Sequence, residues 1–154
     1  MTFKMKEITI DYALRATWQA VTKIYNEEAK KFDSTMAVGF TLLSIDPKTG
    51  TPSTALGPKM GMEATSLSRI LKNMEEKGLI ERKPNPNDGR GVLIYLTDFG
   101  LEKRNDSKEV VLNFNEAIKS NTSEEKLDAF FEVIETINQL IAEKKIYKNN
   151  SITN

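Results

Sequence analysis

The chain has 154 residues, 39% hydrophobic and 29% charged, with 22 Lys/Arg against 22 Asp/Glu and neither Cys nor His. That length suits one domain with a real core. The missing residue types exclude disulfides, thiol sensing and Cys/His metal sites, and remove the commonest acid–base and nucleophilic groups, so no enzyme, metal or cofactor is expected. No apolar run is long enough to span a membrane and no signal peptide opens the chain, so a cytoplasmic protein without a membrane partner is expected.

The charge is distributed unevenly. Residues 55–104 carry nine Lys/Arg against seven Asp/Glu, whereas 105–154 carry six against nine. A basic middle followed by an acidic end fits a nucleic-acid-binding segment, although such mild imbalances also arise by chance.

Residues 1–7 are expected to be loose. From Ile8 to Phe32 the pattern predicts a long helix, with Leu14, Trp18, Val21, Tyr25 and Phe32 on one stripe and Ile10, Ala13, Thr17, Ala20 and Ile24 beside it. A stripe that wide needs more than one partner. Asp33, Ser34 and Thr35 are cap candidates for a second helix, Met36 to Ile45. After a turn at Asp46–Gly50, a short helix is predicted from Thr51 to Gly61, with Leu56 and Met60 inward.

The next stretch organises the chain. Over 64–77, Leu67, Ile70, Leu71 and Met74 fall on one helix face, and Thr65, Arg69 and Lys72 project from the other, flanked by Ser66, Ser68 and Asn73. Short hydroxyls, an amide and two cations near a helix start suit entry into a major groove, where Arg and Lys read guanine. The plainer alternative is an ordinary polar surface face. Gly78 ends the helix as a glycine C-cap. Leu79–Lys83 reads as a strand, Pro84–Gly91 as a turn cluster with Asp88-Gly89 at the hairpin tip, and Val92–Leu96 as a second strand. Helix, strand, basic hairpin and strand together make a winged helix-turn-helix.

Gly78-Leu79-Ile80-Glu81-Arg82, then Asp88-Gly89-Arg90, then Leu96-Thr97 with Gly100 behind it, resembles the MarR family of bacterial transcription regulators. The resemblance is strongest from Leu56 to Glu102. Two features depart from it: Pro58 falls inside the short helix, and Glu63 stands where Ser, Thr or Asp would more usually cap the next one.

Thr97 should cap a helix from Asp98 to Lys119, whose early part, Glu102–Glu109, is charged all round and reads as a solvated stalk. Thr122 with Glu125 forms a capping-box pattern for a last helix to about Tyr147, with Leu127, Phe130, Phe131, Ile134, Ile137 and Ile141 at three- and four-residue steps. A polar tail follows.

The fold class expected is mainly α with a small β-wing. The resemblance implies a single MarR-like domain over 1–154, with a winged helix-turn-helix DNA-binding lobe over 35–97 and dimerisation helices over 8–32 and 98–147. It implies a homodimer on a pseudo-palindromic operator in double-stranded DNA. Base readers would be Thr65, Ser66, Ser68, Arg69 and Asn73, and phosphate contacts Lys72, Arg82 and Lys83. By the resemblance, Arg90 enters the minor groove and Asp88 orients it. Family members often hold a small aromatic or apolar effector; Tyr12, Trp18, Tyr25, Phe40 and Phe99 are candidates here, though aromatics are more often core. The alternative function is a winged-helix protein–protein interaction module without specific DNA binding.

Overall fold

The computed structural model describes residues 8–148; the looseness expected of 1–7 lies outside them, as does the polar tail from Lys148 to Asn154 except for Lys148 itself. Six helices and three strands follow in the order α1 (Ile10–Lys30), α2 (Met36–Ser44), β1 (Thr51–Pro52), α3 (Ser53–Met60), α4 (Ala64–Glu76), β2 (Ile80–Asn85), β3 (Asp88–Leu96), α5 (Asp98–Ser120) and α6 (Glu124–Ala142). The strands form one antiparallel sheet in the order β1-β3-β2. Two compact units divide the chain, one up to Val111 and one from Leu112, a boundary inside α5.

In the first unit the core gathers Leu42 and Ile45 from α2 and its end, Leu56 from α3, Leu67, Leu71 and Met74 from α4, and Leu79, Ile80 and Ile94 from the wing. Three short helices and a sheet can share so small a core because each contributes a single stripe. Thr41, fully buried, is satisfied by donating to the Ala37 carbonyl at 2.8 Å.

Several local expectations are corrected. Thr51–Pro52 is a strand, not the first turn of α3: Thr51 pairs with Ile94 and Pro52 with Leu93. Proline is tolerated there because β1 lies on the sheet edge. Of the three cap candidates for α2, Thr35 serves, its hydroxyl accepting the Val38 amide at 3.2 Å. Pro58 does not break α3, because the helix ends two residues later and turns at Gly61, φ 65°. Glu63 precedes α4 without a side-chain cap bond.

The Glu102–Glu109 segment is not a solvated stalk. Lys103 Nζ reaches the Phe32 carbonyl at 3.2 Å and lies over the Phe32 and Phe99 rings, and Leu101, Arg104, Asp106 and Ser107 are half-buried. Long polar side chains cover apolar surface with their stems, which a charge pattern cannot reveal.

In the second unit Ser123, not Thr122, caps α6 by accepting the Lys126 amide at 3.3 Å. The helix ends at Ala142 rather than near Tyr147, and Lys144 follows with φ 55°. Leu127, Ile134 and Ile137 are half-buried, whereas Phe130, Phe131, Val133 and Ile141 are exposed.

Candidate nucleic-acid interface

α4 forms where an apolar stripe at helical spacing meets the core, and its ends are fixed by backbone. At the far end Gly78 adopts φ 73°, its amide donates to the Glu75 carbonyl at 3.0 Å, and the Leu79 amide donates to Met74 at 2.9 Å. This closure satisfies the last carbonyls and turns the chain directly into β2. Leu67, Leu71 and Met74 are buried, so the opposite face is held outward. Thr65, Ser66, Ser68, Arg69, Lys72 and Asn73 are all exposed. Among the described residues no hydrogen bond or ion pair engages these six side chains.

The wing differs from the hairpin expected. The tip is Pro86-Asn87, with Asn85 opposite Asp88, so Asp88-Gly89 begins β3 instead of making the turn. Asn85 Oδ1 accepts the Asn87 amide at 3.0 Å and shapes the tip. The register slips between Pro84, which faces Val92, and Asn85, which faces Asp88. Gly89, Arg90 and Gly91 are the residues this slip leaves over on β3. Such bulges re-aim a side chain. Asp88 Oδ1 accepts the Arg90 amide at 3.1 Å, and the Arg90 side chain is exposed.

Arg82 and Lys83 are exposed but do not share a face. Arg82 Nε pairs with Glu75 Oε2 of α4 at 3.2 Å, whereas Lys83 Nζ lies 5.1 Å from the Tyr95 ring centroid and 3.8 Å from Glu81. Consecutive strand residues point oppositely, so the two cations are held in different surroundings. Glu75 itself, a residue that sequence reasoning passed over, follows from the same helix arithmetic.

The five aromatic candidates do not converge within the chain. Tyr25 and Phe40 pack edge to face at 5.7 Å. They border a cavity of about 40 Å³, with Leu43 and Val110, too small for an aromatic ring. Burial raises the Tyr25 phenol above its usual value. Phe99 instead lines an adjoining open cleft of about 640 Å³ with Arg69, Asn73, Lys77 and Lys103; the cleft shares Phe32 and Lys103 with the first cavity. Tyr12 and Trp18 are about half exposed on α1. Among the described residues no helix is long and apolar enough to cross a membrane.

Buried helix stripe, C-capped turn and irregular two-stranded ribbon define a winged helix-turn-helix. Residues 35–92 match the model of the MarR family. This segment is thus similar to that family. It is 32% identical over 79 residues to the uncharacterised HTH-type transcriptional regulator YdgJ of Bacillus subtilis, covering 51% of this chain and 48% of that protein. The match thus spans about half of that relative. To the organic hydroperoxide resistance transcriptional regulator of the same organism it is 28% identical over 131 residues, covering 83% of this chain and 88% of the relative. Among solved structures, the S. aureus MepR–DNA complex superposes with a TM-score of 0.80 at 21% identity, covering 86% of this chain and 98% of that one. That likeness concerns the fold.

Proposed function

We propose that this chain is a homodimeric, sequence-specific double-stranded DNA-binding transcriptional regulator of the MarR type. The observation that carries the reading is the division of α4. One side is locked into the core through Leu67, Leu71 and Met74, and the other leaves Thr65, Ser66, Ser68, Arg69, Lys72 and Asn73 exposed. A rigid helix with such a face fits a major groove, its N-terminal residues toward the base edges. Lys72 and Lys83 supply phosphate contacts, and Arg90, aimed by the Asp88 bulge, enters a narrow A·T-rich minor groove. The fold likeness to a protein solved on DNA supports the same reading.

Exposed apolar residues on α1 (Ile10, Leu14, Trp18) and on α6 (Phe130, Phe131, Ile141) support association with a second copy. The cleft beside Arg69 and Phe99 has room for a small aromatic or apolar effector, which would compete with DNA for Arg69.

Arg90→Ala tests the reading directly. Operator affinity should fall, most at sites with A·T-rich flanks, while thermal melting and oligomeric state stay unchanged. A large drop in melting temperature with unchanged DNA affinity would make Arg90 structural and remove the wing contact.

A further inference from the structure

The adjacent β2 cations Arg82 and Lys83 sit in different surroundings. Arg82 pairs with Glu75 at 3.2 Å, and among the described residues this is the one ion pair that joins α4 to the wing. Glu75 is doubly placed, since its backbone carbonyl also accepts the Gly78 amide that closes the turn between helix and strand. Arg82 stands opposite Ile94, a fully buried residue of β3, so it is anchored at the wing's base and not near its tip. Both side chains remain more than a third exposed, and an exposed ion pair stabilises a fold only marginally.

We propose that Glu75 and Arg82 are positioning residues: their pair fixes the angle between α4 and the β2–β3 ribbon, so that helix and wing address two grooves together. The inference rests on the DNA-binding reading for its consequence, but the tether itself is a property of the free protein. Arg82 is then not a phosphate clamp. Without the pair, the ribbon is connected to α4 through the turn at 77–79 and its inner apolar residues, and rocks about that base. Ordering it on DNA costs binding free energy that the paired protein has already met.

The test uses the full chain with Glu75→Gln, Arg82→Ala and the exchanged pair Glu75→Arg with Arg82→Glu. Amide hydrogen exchange in residues 82–94 of the free protein should quicken in both single variants and recover in the exchanged pair. Binding to a selected operator should weaken by roughly threefold to tenfold in Glu75→Gln, the range of a coupled surface pair. The salt slope should stay unchanged, because no phosphate contact is lost.

Unchanged wing exchange in Glu75→Gln overturns the proposal whatever the DNA result. It is also overturned if Glu75→Gln tightens binding to all duplexes, or if Arg82→Ala flattens the salt slope by about 1, since either makes Arg82 a phosphate ligand. If the wild-type chain binds no DNA, the functional reading fails, while the exchange data still decide the tether.

Discussion

The Thr97 hydroxyl donates to the Gly78 carbonyl at 2.5 Å while accepting the Gly100 amide at 2.9 Å. One side chain thus caps the start of α5 and fastens it to the turn that ends α4. The Thr97 amide adds a bond to the Leu79 carbonyl at 3.1 Å. Thr97→Val should therefore cost about 1–2 kcal/mol, the range of a lost cap, and Thr97→Ser should recover most of it. Urea unfolding of the three proteins checks this; equal stability of Val and Thr would mean that the turn closes without the hydroxyl.

For specificity, Arg69→Ala should cost on the order of 1–3 kcal/mol at a cognate site and relax preference at one base position. Lys83→Ala should weaken all duplexes alike and lower the salt slope by about 1. Titrations against cognate and scrambled DNA separate the two. Equal effects on both duplexes would reduce Arg69 to a backbone contact.

Much of the framework of this candidate site was legible in the sequence. Leu67, Ile70, Leu71 and Met74 specify the buried side of α4 by spacing alone, and Gly78 specifies its end. Other features depended on contacts made after folding. Asp88-Gly89 has the composition of a hairpin tip, yet Asn85 shapes the turn two residues earlier at Pro86-Asn87 and displaces Asp88 into β3. A two-residue strand such as β1 has no period to detect; it exists because Ile94 and Leu93 lie opposite. Gly100 stands out in the sequence only by its place behind Leu96-Thr97; its physical reason is the Leu79 carbonyl, which lies where a Cβ would stand. The placement of the aromatics was likewise not legible: Tyr25 and Phe40 pack edge to face, while Tyr12 and Trp18 stay half exposed on α1.

Association should depend on the exposed apolar residues of α6. Ile134 and Ile137, singled out by periodicity, are half-buried, so charge placed there would also disturb the chain's own packing. Phe131, 61% exposed, is the cleaner probe. Phe131→Asp should shift the protein toward monomer in light scattering with little change in helix content. A wild-type chain that is monomeric at micromolar concentration would contradict the homodimer.

Acid should loosen the α2–β1 turn late. The Asp46 carboxyl is held below its usual 3.8 by the Thr49 and Lys48 amides, whose bonds to Oδ1 measure 3.0 and 2.8 Å. A carboxyl depressed on folding contributes stability above its unfolded pKa and loses it as pH falls through the lower folded value. Asp46→Asn should therefore narrow the stability gap to wild type below pH 3.8 while leaving it open at neutral pH. A gap independent of pH from 2 to 7 would mean that the charge on Asp46 is irrelevant to the turn.

The most direct measurement is the salt dependence of wild-type binding to two labelled duplexes, one selected from random sequence and one scrambled. With α4 and the wing both engaged, the selected duplex should bind about 10³-fold or more tighter. Affinity for both should fall steeply with salt, as expected for several neutralised phosphates. Equal affinity for the two duplexes, or binding indifferent to salt, would contradict the account.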